Sequence, residues 1–386
     1  MDPSAAAPNG DVYQQSIKAH LKLRGKLSLS LKDDPDTKEK LSLFYTPGVA
    51  AVSRLIAEQP DKLNDYSWTN NLVAVVSDGS AVLGLGDIGP KAAMPVMEGK
   101  AMLFKHFADI DAVPIVLNAH SADQIVNAVK AIAPSFGAIN LEDIAAPKCF
   151  EIEERLKDQL DIPVFHDDQH GTAVVVLAGL INAAKVVNKD LKRCRVVVVG
   201  AGAAGTAIIK LLNVYGVKQI TALDSQGIIG PGRRGLSPEK RALLDLTRPV
   251  DHLGGLDRAL DGADIFIGVS RPNLLNTEYI KLMNPRSIVF ALANPQPEIE
   301  PDLAFRAGVA VLATGRSDYP NQVNNALAFP GIFRGALDNG VKRITDDHKL
   351  AAAGALAAMV KRPAAGRIIP SLFETSLVKT IAAVIK

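Results

Sequence analysis

The stretch from Arg195 to Asp224, RVVVVGAGAAGTAIIKLLNVYGVKQITALD, decides the fold. Four consecutive valines read as a strand buried on both faces. A glycine-rich turn follows, then a helix over residues 206–215 that Gly216 ends, then a second strand over 219–224. The turn, Gly200-Ala201-Gly202-Ala203-Ala204-Gly205, is G-x-G-x-x-G in a strand–turn–helix context. Gly200 permits the tight turn, Gly202 lets a pyrophosphate approach the backbone, and Gly205 lets helix and strand pack closely. Ala203 and Ala204 open the helix, whose free N–H groups and positive dipole end suit phosphate. Asp224 at the end of the second strand is placed to accept hydrogen bonds from ribose hydroxyls, which favours NAD. Arg233 and Arg234, a few residues on, could instead take a 2′-phosphate, so NADP stays open. The bland alternatives are a structural glycine turn that binds nothing and a solvated arginine pair.

Outward from this unit, strands are expected over residues 263–269, 287–292 and 310–313, which makes a doubly wound Rossmann domain. Upstream, strands over 113–117, 138–140 and 163–165 alternate with helices over 121–132 and 147–160. That alternation implies parallel pairing. Residues 72–76 and 81–83 flank Ser77-Asp78-Gly79-Ser80 and are expected to form a hairpin. Pro95 stands where a helix over 96–108 would start. An apolar helix over 171–187 bridges the halves. The expected fold class is α/β. A mixed α/β substrate- and metal-binding domain covers residues 11–165, and the Rossmann NAD(P)-binding domain covers 166–346. Helices over 347–386 pack back on the first domain, and residues 1–10 form a disordered tail. A second G-x-G-x-x-G, Gly84 to Gly89, contains Asp87, whose charge opposes phosphate, and precedes Pro90. It reads as a turn that shapes the first domain.

Composition narrows the function classes. The 386 residues carry 43 Lys and Arg against 41 Asp and Glu, a net +2, so nothing in the overall charge points to nucleic acid or an anionic membrane. A hydrophobic fraction of 48% with 22% charged residues is that of a globular chain. Two cysteines, Cys149 and Cys194, make neither a disulfide framework nor a thiolate zinc site. Apolar runs over 173–181 and 350–360 fall short of the roughly 18 residues a membrane span needs. The first ten residues lack a signal peptide's pattern. The expectation is a reduced, cytoplasmic protein.

The candidate chemistry lies in the first half. Asn140-Leu141-Glu142-Asp143-Ile144 places two carboxylates after a strand. His166-Asp167-Asp168-Gln169-His170-Gly171-Thr172 places two more before the bridging helix. Clustered carboxylates suit a hard divalent cation, and the lack of a Cys/His set argues against zinc. Either dipeptide alone also reads as a helix cap. Lys100 lies in an otherwise apolar helical stretch, where desolvation would lower its pKa toward that of a general base. A snorkelling surface lysine is the competing reading, and Lys105 and His106 are rivals on the same helix. Tyr45 precedes a proline turn and by itself says little.

Taken together, these segments resemble the malic enzymes of the short prokaryotic type, from about Tyr13 to the C-terminus. The segments that carry the likeness are Tyr45-Thr46-Pro47-Gly48-Val49, the Gly84 loop, Met97-Glu98-Gly99-Lys100, the two carboxylate segments, the Gly200 loop, Ala293-Asn294-Pro295 and residues 316–325. The resemblance implies oxidative decarboxylation of L-malate to pyruvate and CO2 with reduction of NAD(P), and decarboxylation of oxaloacetate. It implies Mg²⁺ or Mn²⁺ on Glu142, Asp143 and Asp168, Lys100 as general base and Tyr45 as general acid. Asn294 and Asn325 would bind substrate, with Asn294 and Ser270 also beside the cofactor. It further implies a homodimer or a dimer of dimers. Ala81 stands where larger relatives place a substrate-gripping arginine, and a phosphotransacetylase-like extension is absent from the sequence. Two other readings compete: a dehydrogenase for a different 2-hydroxy or amino acid whose carboxylates are structural, and a non-catalytic NAD sensor.

Overall fold

The computed structural model describes residues 10–82, 84–248 and 254–386. The proposed tail therefore lies outside the described residues up to position 9, and Gly10 already opens a helix, Gly10–Leu23. Two sheets organise the rest. The first contains β1 (Leu72–Ser77), β2 (Asp111–Val116), β3 (Ala138–Leu141) and β4 (Val164–His166), in the order β2-β1-β3-β4, with every pairing parallel. The second contains β5 (Val196–Val199), β6 (Ile220–Asp224), β7 (Gly227–Ile228), β8 (Ile265–Gly268), β9 (Ile288–Ala291) and β10 (Val311–Thr314). Its order is β10-β9-β8-β5-β6-β7, and only β7 is antiparallel.

Side-chain alternation explains why both sheets are buried on both faces. On β1, Val73 and Val75 face one core while Leu72, Ala74 and Val76 face another. On β5, Val196 and Val198 share the core of Val73 and Val75, and Val197 and Val199 enter a third. One continuous core thus joins the two sheets. The helix Asp167–Val186 runs through it, and 14 of its 20 residues are buried, which is why it is apolar on all sides. Gly179 lets it approach the second sheet, since a Cβ there would lie 3.0 Å from the Phe290 ring. Its buried Asn182 donates to two distant carbonyls, Ala357 and Ile368, at 2.9 Å each.

Several sequence expectations are corrected. Among the described residues no hairpin forms over 72–82: β1 pairs in parallel with β2 and β3, and Val82 makes an isolated bridge to Gly86. A strand of six buried residues gains more at the centre of a sheet than in an exposed hairpin. Leu83 lies outside the described residues. The helix expected from Pro95 starts at Gly89, with Pro90 in its first turn and Pro95 inside it. The bridging helix starts at Asp167 rather than Gly171, so the carboxylates occupy its first turn, where the helix dipole favours them. Residues 347–386 pack chiefly on the bridging helix and its neighbours Ala203–Tyr215 and Phe329–Asp338. Their contact with the first domain includes Phe373 against Phe107, with ring centroids 6.3 Å apart. Cys149 and Cys194 are buried free thiols.

Replacing Asn182 with Leu strands two buried carbonyls in one step. The expected loss is on the order of 3 kcal/mol, read from urea unfolding of the parent and the variant side by side.

Candidate active site

The lysine helix Gly89–Ala108 carries Lys100 inward, 7% exposed, with its ammonium 4.4 Å from the centre of the Phe329 ring. Its Nζ lies 2.6 Å from Asp167 and 2.8 Å from Glu142. Glu142 sits just past β3, where Asn140 donates to it at 2.9 Å. Asp168 accepts the N–H of Asp143 at 2.8 Å, which ties the two carboxylate segments together. Glu142, Asp143 and Asp168 each bring an oxygen within 4.8 Å of the others. All of this is set by parallel topology: β3 and β4 are neighbours, so the residues leaving their C-terminal ends converge.

The electrostatics correct the expected behaviour of Lys100. Burial does disfavour its charge, but Asp167, Glu142 and Asp168 outweigh that and raise its pKa above the ordinary lysine value. Burial raises the Glu142 carboxyl, against the opposing pull of Lys100. It also pushes Asp167 and Asp168 up to about 6, again opposed by Lys100. Asp167 Oδ1 is buried without a hydrogen-bond partner. Four clustered carboxylates with one ammonium leave an excess of negative charge, and their all-oxygen chemistry fits a hard dication.

The second sheet supplies a cleft of about 1160 Å³ lined by Gly200, Gly202, Asp224, Lys240 and Ser270 among others. A Cβ on Gly202 would meet nothing within 4 Å, so the loop is open to the cleft there, whereas one on Gly205 would overlap the Gly200 carbonyl. Ala203 and Ala204 begin the helix Ala203–Tyr215. Asp224 lines the cleft with its carboxylate already engaged. Its Oδ1 is ion-paired with Arg233 at 2.7 Å and accepts from the Gln226 N–H at 2.9 Å. Its Oδ2 accepts from Arg233 at 2.8 Å and Lys240 at 2.6 Å. Burial disfavours that charge, but these donors hold the carboxyl down at about 2. Arg234 is exposed.

The two Asn candidates lie where the halves meet. Asn294 presents its carbonyl to Gly84 (φ +72°), so the first glycine loop abuts the second sheet, consistent with a shaping turn. Asn325 adjoins the bridging helix, where a Cβ on Gly171 would come 3.1 Å from its own Cβ. Ala81, at the missing arginine, is exposed and donates its N–H to the Asp143 carbonyl at 3.0 Å. Tyr45 stands apart from the rest. It is 67% exposed, at the end of helix Lys38–Phe44, which has no buried residue.

Three residues escaped the sequence reading, whereas Asp167, the nearest carboxylate to Lys100, was legible as part of its motif. Lys240 and the buried Glu298 carry no local signal. Glu298 accepts from the Ser270 and Ala293 N–H groups at 3.1 and 3.0 Å and so ties the ends of β8 and β9. Glu153, fully buried, reads as one more charge on an acidic helix.

The class this arrangement defines is an α/β dinucleotide-binding oxidoreductase with an acidic, lysine-bearing pocket beside the cofactor cleft. The family model of the malic enzyme N-terminal domain matches residues 26–124 and 119–157, and that of the malic enzyme NAD-binding domain matches 169–385. The chain is 55% identical over 359 residues to the NAD-dependent malic enzyme of Geobacillus stearothermophilus, covering 92% of this chain and 75% of that one. It is 48% identical over 355 residues to the NADP-dependent malic enzyme of Halomonas elongata, covering 91% and 83%. The crystal structure of the NAD-dependent malic enzyme from Thermotoga maritima superposes with a TM-score of 0.93 at 50% identity, covering 96% and 98%. The chain belongs to the malic enzyme family.

The raised carboxyls give a pH dependence. A folded-state pKa of about 6 for Asp168, against an ordinary aspartate value of 3.8, means its ionisation opposes folding above pH 6. That penalty fades as pH falls from 6 toward 4. In EDTA, Asp168→Asn is therefore expected to raise stability more at pH 7.5 than at pH 4.5. Urea unfolding at both values checks the sign.

Proposed function

We propose that this chain oxidatively decarboxylates L-malate to pyruvate and CO2, reducing NAD(P), and decarboxylates oxaloacetate. The observation that carries the reading is Lys100 buried among Glu142, Asp167 and Asp168, with Ala146 and Pro147, just past Asp143, on the wall of the dinucleotide cleft. Glu142, Asp143 and Asp168 would hold Mg²⁺ or Mn²⁺. A dication there supplies Lewis acidity for loss of CO2 from a β-keto acid. The dinucleotide, on Gly200, Gly202, Ala203, Ala204, Gly205 and Ser270, supplies the hydride acceptor. Lys100 removes the proton of the C2 hydroxyl. It keeps its own proton while its carboxylate neighbours are uncompensated, and neutralising them lets it act as a base near pH 7. Asn294 and Asn325, at the junction of the halves, orient the substrate. Tyr45 protonates C3 of the enol to give pyruvate.

The engaged carboxylate of Asp224 bears on the leaning toward NAD. It accepts three hydrogen bonds, from Gln226, Arg233 and Lys240, and its Oδ1 is also ion-paired with Arg233. Lys240, by contrast, has donors to spare on the cleft wall. This supports use of NADP as well as NAD. With L-malate and Mn²⁺, reduction of both dinucleotides is expected, with stoichiometric pyruvate and CO2 and complete loss in EDTA. Reduction that survives EDTA and stops at oxaloacetate would make the carboxylates structural and overturn the assignment.

The exposed Tyr45 supports a homodimer. Ile17 (62% exposed) and Leu21 (79%) form a stripe four residues apart on the first helix, and Phe44 (51%) adjoins Tyr45. A second copy would cover these apolar side chains and receive Tyr45 into its own pocket. The two buried cysteines and the lack, among the described residues, of any helix long and apolar enough to cross a membrane are compatible with a cytoplasmic setting. Tyr45→Phe and Lys100→Ala proteins, each inactive alone, are expected to recover about a quarter of parental activity once mixed and exchanged. Half of the dimers are then mixed, and each has one intact site. No recovery after verified exchange would place Tyr45 and Lys100 in the same copy.

A further inference from the structure

Behind the carboxylate pocket lies a second buried charge cluster that the proposed chemistry does not use. Glu153, on helix Lys148–Gln159, is 2% exposed. Three hydrogen-bond donors and one ammonium surround its carboxylate. Oε1 accepts from the backbone N–H of His166 at 3.0 Å and is ion-paired with Lys157 at 2.9 Å. Oε2 accepts from His170 Nε2 at 2.8 Å and from Gln169 Nε2 at 3.3 Å. Burial alone would favour the protonated acid, but His170, Lys157 and His166 reverse that and hold the carboxyl far below its usual value.

The positions of these donors give the cluster its meaning. His166 is the residue before the bridging helix, and it makes no side-chain cap of its own. Gln169 and His170 complete the helix's first turn, and Asp167 and Asp168 lie between His166 and Gln169 in sequence. Glu153 therefore grips both sides of the two carboxylates without touching either. Its own helix begins at Lys148, five residues after Asp143, so it is rigidly connected to the other carboxylate segment. A fixed negative charge at a helix N-terminus is itself favourable, which adds to the grip.

We infer that Glu153 is a positioning residue that fixes the first turn of the bridging helix, and through it the Asp168 oxygen, at the spacing a divalent cation requires. The inference rests on the metal-dependent reading of the pocket. Residues that orient metal ligands from behind commonly affect metal affinity by about 10–100-fold when changed. Glu153→Gln keeps the shape but replaces one acceptor with an amide that faces donors. His170→Leu removes one neutral donor and leaves the Glu153 charge paired with Lys157.

The measurement is Mn²⁺ affinity of the full chain without substrate, from the electron paramagnetic resonance signal of free Mn²⁺. Dinucleotide affinity and thermal stability are measured in parallel. The parent is expected to bind Mn²⁺, Glu153→Gln to bind it at least 10-fold more weakly, and His170→Leu to fall between, all with parental dinucleotide affinity. Folded Glu153→Gln with parental Mn²⁺ affinity would overturn the inference and leave the metal reading intact. If that variant does not fold, His170→Leu decides: parental affinity there overturns it. A parent that binds no Mn²⁺ would overturn the metal reading and this inference with it.

Discussion

The bridging helix Asp167–Val186 has 14 of its 20 residues buried, and this constraint governs the rest of the molecule. Its middle, from Ala173 to Ala184, contributes to the one core that both sheets share. Its first turn carries the carboxylates of the pocket, and its flank lies against the phosphate-loop helix Ala203–Tyr215. A single element thus sets the distance between the acidic pocket and the dinucleotide cleft. Because protein cores are close-packed, that distance is held by many contacts rather than by any one hydrogen bond.

Charge is handled in two different ways around this frame. Glu153 and Asp224 are carboxylates held ionised by the donors and cations around them. Burial raises the pKa values of Glu142, Asp167 and Asp168, and Lys100 cannot balance them alone. The difference follows from the cations and donors each carboxylate meets, since burial opposes ionisation in all five.

Much of this was legible in the sequence. The run Val196–Val199, the glycine loop and the helix ending at Gly216 follow from local rules, and so do the carboxylates after β3 and β4. What was not legible depended on contacts between distant segments. Nothing near residue 72 says that β1 pairs with strands at 111 and 138, so turn chemistry suggested a hairpin. Nothing near Asp224 says that Lys240 will occupy one of its oxygens. Lys100 was read as desolvated, correctly, but the sign of its shift needed Asp167, which is 67 residues away. The apolar pattern placed the bridging helix four residues too late, because its first turn is polar and is stabilised by Glu153 instead.

Cys149 and Cys194 show what the close packing means for durability. Burial pushes their thiols up to about 12 and about 11. At ordinary pH neither presents the thiolate through which peroxides and mixed disulfides act. Cys149 sits six residues beyond Asp143, yet oxidants in solution have no reactive sulfur to find beside the pocket. A fold that shuttles electrons between two organic molecules is thereby insulated from the redox state of its surroundings.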